Sequence, residues 1–354
     1  MQQYRFMRRT AIYCILFVLA AMSVILYYSA NKIIVVADVA QDEVVQSAGS
    51  EGAEEAVVVD KNHIEIDRNS QNTNYFCIPM PESVRAEEVT IENHYMDQEL
   101  WVSITPREMA DQGMFYESHS VYGNCDNVLV GHFDVEKERI CLRFALTDVY
   151  EYQSIFENNT LYIEFVSPKE AYDKIVVIDP AYGAEDSGIT AEGVKGKNIT
   201  LDIAKALKAK LDETDIKVYY TRMDDSNPTD ENRVRLAAAT KADMLIRIEI
   251  GGADSTKIYG TEAVYNSRFF IPGFGSVELA DLLEREVVTA VSGKANGLLE
   301  AAEEDSVISD ATVPAAAIRV GYLTNGQEFI LLQREDYIER IANGIYQAIL
   351  KAYE

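Results

Sequence analysis

The sequence predicts two folded units in tandem behind a single N-terminal transmembrane helix: a small all-β sandwich, then an α/β domain whose largely parallel sheet is flanked by helices. Three observations predict it. An apolar run from Ala11 to about Tyr28 stands near the start of the chain. Short alternating apolar stretches follow up to Pro168, and beyond that point apolar runs of strand length alternate with runs of helical period. At 354 residues the chain is long enough for two cores. Its 48% apolar content, with 21 Tyr and 12 Phe, excludes a disordered chain.

The first run suits a helix of roughly 27 Å, close to the hydrocarbon thickness of a bilayer. Arg5, Arg8 and Arg9 precede it, so the positive-inside rule makes residues 1–10 a cytoplasmic tail and 11–29 an anchor, with the rest extracytoplasmic. A cleaved signal peptide is the competing reading. Its apolar region is usually shorter and ends at small residues, whereas Tyr28 stands where a cut after Ala30 would need one. Residues 30–60 read as an acidic linker: from Asp38 to Asp60, Gln, Ser, Gly and Ala mix with seven acidic residues. Such a spacer lifts the folded units off the membrane.

The net charge of -26 argues against nucleic acid as a partner, because no basic patch beyond the first ten residues offsets it. Of four cysteines, Cys14 lies in the anchor, which leaves Cys77, Cys125 and Cys141 outside. An odd number permits at most one bridge within the chain, and without CxxC or Cys/His spacing the expectation is buried free thiols.

Within 61–168, Val89–Ile91, Leu100–Ile104, Val128–Val130, Ile140–Phe144 and Leu161–Val166 are rich in branched and aromatic residues and separated by Asn, Asp, Gly and Pro. These are strands of a sandwich. All four histidines, His63, His94, His119 and His132, fall here at no metal-like spacing and read as surface or strand-packing residues.

Within 172–354 the run Ile175–Ile178 ends at Asp179-Pro180 and reads as a buried parallel strand. Ile199, Ile203, Leu207 and Leu211 then mark a helix opened by Asn198 or Thr200. Strand Ile216–Tyr220, helix Asp230–Lys241, strand Met244–Ile250, a strand near Ala263–Tyr265, helix Ser276–Val291, strand Ala316–Leu323 and helix Asp336–Tyr353 complete the alternation. Ligands of such sheets bind at the C-terminal ends of the strands.

Five blocks at those ends carry a resemblance. KIVVIDPAYGAEDSG (Lys174–Gly188), KNITLDIAKAL (Lys197–Leu207), IKVYYTRMDD (Ile216–Asp225), NRVRLAAATKADMLIRIEI (Asn232–Ile250) and PAAAIRVGYLTN (Pro314–Asn325) stand in order. This half is similar to the zinc-dependent N-acetylmuramoyl-L-alanine amidases, which cut the bond between muramic acid and the stem peptide of peptidoglycan. The preceding β unit is loosely similar to the targeting domain found ahead of some of these enzymes.

The resemblance implies zinc held by two imidazoles and a carboxylate, with a second carboxylate as general base. Position by position, the family's DPGHGG block reads DPAYGA, which puts Tyr182 at the first imidazole. Gly196 stands at the carboxylate ligand, Glu249 at the second imidazole and Arg319 at the general base. No histidine follows His132, so neither zinc nor catalysis is expected. An oxygen-only calcium or magnesium site from Glu185, Asp186 and Glu192 is the alternative.

Glu249 and Arg319 are expected to balance each other as a pair, the alternative being that both point into solvent. Tyr182 reads as a pocket-filling aromatic. Lys197, Arg222, Arg233 and Arg319 are candidates for meeting the carboxylates of stem peptides, although Arg222 and Arg233 serve equally as structural ion pairs. The N-terminal run and the resemblance together thus lead to the expectation of a membrane-anchored pseudoenzyme that binds peptidoglycan or docks onto a wall hydrolase or a division or sporulation complex. An active amidase with an unconventional metal site and a purely structural envelope partner are the alternatives.

Overall fold

A computed structural model describes residues 62–69, 73–105, 119–136, 139–268 and 271–354. The expected tail, anchor and linker lie outside the described residues, among which no helix is long and apolar enough to cross a membrane.

Among the described residues the first unit contains nine strands: β1 (His63–Asp67), β2 (Phe76–Pro79), β3 (Val89–His94), β4 (Glu99–Ile104), β5 (Ser120–Gly123), β6 (Val128–Glu136), β7 (Arg139–Leu146), β8 (Glu151–Glu157) and β9 (Thr160–Val166). They pair in the order β3-β4-β7-β6-β1-β5-β2-β9-β8, antiparallel throughout except β1 with β5. β7 shows why this sequence makes strands: Ile140, Leu142, Phe144 and Leu146 are buried in strict alternation with more exposed residues. Side chains from β3, β4 and β7 share one core with those of β2, β5 and β9, so the array folds over on itself in two layers. Phe76 and Phe144 meet edge to face across that core, with centroids 5.0 Å apart. The two edges also approach, because Tyr152 donates its hydroxyl to the Ile91 carbonyl at 3.1 Å.

Cys77, Cys125 and Cys141 are free thiols, and burial pushes Cys77 up to about 11. His63 and His132, far apart in sequence, lie directly opposite on β1 and β6 with rings 5.8 Å apart. His94 stacks on Trp101 at 3.9 Å.

After a short helix α1 (Pro168–Ala171), the second unit contains β10 (Ile175–Pro180), β11 (Thr190–Ala191), β12 (Val194–Lys195), α2 (Gly196–Leu211), β13 (Lys217–Tyr220), α3 (Asp230–Ala239), β14 (Met244–Gly251), β15 (Thr261–Tyr265), α4 (Ser276–Val291), β16 (Ala295–Glu300), α5 (Ser306–Ser309), β17 (Ala315–Tyr322), α6 (Gly326–Leu331) and α7 (Glu335–Ala352). The six-stranded sheet runs β13-β10-β14-β17-β15-β16. Its first four strands are parallel, but β15 is antiparallel to β17 and β16 follows β15. The sheet is therefore largely parallel, as the sequence predicted, and mixed through the single antiparallel pairing of β15 with β17. The cause is local: 252–260 contains no crossover helix, so the chain leaving the top of β14 re-enters the sheet pointing down.

Helices α2, α4 and α7 cover one face through Ile203, Leu207, Leu283, Ile341 and Ile345. The other face buries Ile175, Val177, Leu245, Ala315 and Ala317 beneath Leu236, Ala237 and Ile308 of α3 and α5. Helix α2 starts at Gly196, ahead of both predicted caps. Thr200 is unavailable as a cap, because its hydroxyl donates to the Ala181 and Lys197 carbonyls at 2.9 and 3.1 Å.

Candidate functional site

The face carrying Ile175, Val177, Leu245, Ala315 and Ala317 changes character at the C-terminal strand ends. The next residues of the same parity are Asp179 on β10, Arg247 and Glu249 on β14, and Arg319 on β17, with Glu262 reaching in from β15. Asp179 pairs with Arg247 in register, Glu249 with Arg319, and Arg319 again with Glu262.

Their charges alternate across four strands. Asp179 is fully buried and accepts from the Thr221 hydroxyl at 2.5 Å, from Arg233 and from Arg247 at 2.5 Å. Arg247 donates its Nε to Glu249 Oε1 at 2.8 Å. Arg319 donates its Nε to Glu249 Oε2 at 2.9 Å, and its other nitrogens reach Glu262 at 3.1 Å and Asp305 at 3.4 Å. Burial alone would push the carboxyl of Asp179 up, but Arg247, Arg233 and the hydrogen bond from Thr221 together outweigh it and hold it at about 2. Burial disfavours the charge on Arg319, and Glu249, Glu262 and Asp305 more than offset it.

The expected pair between Glu249 and Arg319 is thus present, as one rung of a longer ladder. Arg247, Asp179, Glu262 and Asp305 are not singled out by the sequence. A signal existed in Ile246-Arg247-Ile248-Glu249-Ile250, where opposite charges two residues apart interrupt an apolar strand on one face.

Tyr182 lies beside the ladder. Its backbone is left-handed at φ 70°, and its hydroxyl donates to the Ile250 carbonyl at 3.3 Å. Burial first, then the charge of Glu249, push its phenol well above the ordinary range. The ring packs over Gly196 and Gly188: a Cβ at Gly196 would sit 3.5 Å from Tyr182 Cε2, and one at Gly188 only 2.5 Å from Cδ2. Gly188 itself has φ +62°. Gly188→Ala is therefore expected to destabilise the fold by about 1–3 kcal/mol, read as a lowered midpoint in thermal unfolding. An unchanged midpoint would show that the ring is not fixed there.

Two of the four basic candidates are scaffold. Arg222 is buried and donates to the carbonyls of Pro180, Ala181, Asp224 and Lys197. Arg233, also buried, joins Asp179 to the carbonyls of Pro228 and Tyr182 and to Asn227. Together they stitch the loop bearing Tyr182 to the loop after β13: Arg233 does so as a structural ion pair with Asp179, Arg222 through backbone carbonyls, and neither guanidinium faces solvent. Lys197 is buried too, donating to the Ala184 carbonyl at 2.6 Å and to Asp225 at 2.7 Å. Arg319 stays partly exposed, at 24% of its side chain.

These residues do not fit the family's zinc. The sequence offers no imidazole after His132, and both oxygens of Glu249 already accept from guanidinium groups that would face any cation. Among the described residues no three His, Cys, Asp or Glu side chains gather to hold a metal, so Glu185, Asp186 and Glu192 do not converge as an oxygen site.

Residues 176–351 match the family described as N-acetylmuramoyl-L-alanine amidase. The uncharacterised protein YqiI of Bacillus subtilis (strain 168) is 29% identical over 181 residues, 51% of this chain and 85% of that relative. The germination-specific N-acetylmuramoyl-L-alanine amidase of the same organism is 26% identical over 221 residues, 58% of this chain and 89% of that relative. The crystal structure of an N-acetylmuramoyl-L-alanine amidase from Clostridium difficile 630 shares 30% identity, 50% of this chain matching 95% of that one, with a TM-score of 0.47.

Proposed function

Because the α/β unit of this chain belongs to the N-acetylmuramoyl-L-alanine amidase family, we propose that the protein is a membrane-anchored, extracytoplasmic pseudoenzyme of that family, which associates with peptidoglycan metabolism without cutting the amide bond. One observation carries the reading. Arg319, at the family's general-base position, donates at 2.9 Å to Glu249, at the position of the second imidazole. A guanidinium cannot serve as a general base near neutral pH, and it repels the dication that would activate water. Tyr182 and Gly196 supply no carboxylate or imidazole at the remaining ligand positions.

Lys197, Arg222, Arg233 and Arg319 all spend donors on protein acceptors. That supports docking onto a wall-active partner, a hydrolase or a division or sporulation complex, over capture of stem-peptide carboxylates by these four side chains. The test is metal analysis of the purified ectodomain coupled to digestion of sacculi. We expect substoichiometric zinc and no release of stem peptides. Stoichiometric zinc with release would establish the alternative, an active amidase with an unconventional metal site. Pull-down on sacculi, with and without wall proteins, then separates direct wall binding from docking.

A further inference from the structure

Lys217 opens β13, the edge strand of the six-stranded sheet, at the end opposite the ionic ladder. Its ammonium lies 5.3, 5.1 and 5.0 Å from the ring centroids of Tyr95, Tyr172 and Tyr219, and 3.0 Å from Glu151. Glu151 also accepts from the hydroxyls of Tyr219 at 2.5 Å and Tyr95 at 3.3 Å. The rings of Tyr95 and Tyr219 meet edge to face at 4.8 Å.

These five residues come from both units. Tyr95 and Glu151 belong to the β sandwich, Tyr172 to the connector, and Lys217 and Tyr219 to the α/β unit. Beside the cage, Met96 and Val149 of the sandwich are buried in the same apolar cluster as Ile175, Val177, Tyr219 and Leu236 of the α/β unit. Arg235 on α3 adds a bond to the Met96 carbonyl at 2.7 Å. Domains that swing on a linker usually meet through small, polar, wet contacts. Here opening would expose a shared apolar core and break both the Lys217–Glu151 ion pair and the contacts of the ammonium with the rings of Tyr95 and Tyr172.

We infer that the α/β unit carries an acceptor surface for its own β sandwich, and that the Lys217 cage locks the two into one rigid body. The sandwich is then a fixed mount gripping the N-terminal end of the sheet, not a lid over the ladder at the other end. The inference does not depend on whether the α/β unit hydrolyses anything.

Calorimetry and limited proteolysis of the full chain in detergent micelles test it. The unmodified protein should melt in a single transition for both units. Lys217→Met fills the cage without a charge, and Glu151→Gln keeps the shape of the acceptor, so both variants should remain folded. Each should split the transition or speed cleavage in the connector between 166 and 174 at least about tenfold. The double variant should be little worse than either single one, as expected of coupled partners. Two well-separated transitions in the unmodified chain, or melting and cleavage unchanged in both single variants, would overturn the lock.

Discussion

Asp179→Asn is expected to lower the unfolding free energy by about 3–5 kcal/mol in urea near neutral pH, the range for removing one partner of a buried ion pair. The amide preserves shape but not charge, which leaves Arg233 and Arg247 converging on a neutral group, with an NH2 facing guanidinium donors. Exchanging Lys208 for Ala, in the exposed i,i+4 pair with Asp212, should change stability by no more than about 0.5 kcal/mol. A loss for Asp179→Asn as small as this control would mean that the ladder contributes little to folding. The carboxyl of Asp179, held at about 2 in the folded chain, lies below its unfolded value of about 4. Its stabilisation is thus fully present above about pH 4 and is lost as pH falls through about 2. The native protein should weaken over that window more steeply than Asp179→Asn does.

Arg319→Met should be the second most damaging change, costing about 2–4 kcal/mol near neutral pH. The apolar stem can be replaced by methionine, but Glu262 and Asp305 lose their cation, and Glu249 keeps only Arg247. Repulsion among the three carboxylates is screened by salt, so the deficit should shrink as ionic strength rises. Urea titrations at several salt concentrations read this directly. A salt-independent deficit would point to lost packing instead of lost charge.

Long, strongly periodic segments were legible in the sequence. Helix Ser276–Val291 coincides with its prediction, because an amphipathic pattern over four turns leaves little freedom. β16 was not legible: Ala-Asn-Gly-Leu-Leu-Glu has no β-branched residue, carries Gly297 at φ +96°, and lies at an edge where little is buried. β8 was missed for a related reason, since Ser154 is its single buried residue and alternation hardly shows.

In the site, Glu249 and Arg319 could be brought together beforehand because a family resemblance fixed which strand ends are neighbours. Asp305 could not, since it sits outside the strands and reaches Arg319 only through the tertiary fold. The burial of Arg222 and Arg233 was equally hidden. An arginine in the first turns of a helix normally faces water, and only the loops folded over α3 show that Arg233 does not.

The ladder also couples the family's site positions to one another. Glu249→His would strip both Arg247 and Arg319 of an acceptor, and Arg319→Glu would set a new carboxylate among Glu249, Glu262 and Asp305. Gly196→Glu would drive a side chain toward the ring of Tyr182 and the Ile189 carbonyl. Each change toward the family's ligand set is therefore expected to destabilise the fold while the other ladder members stay as they are, so these positions are coupled and tolerate exchange only as a group.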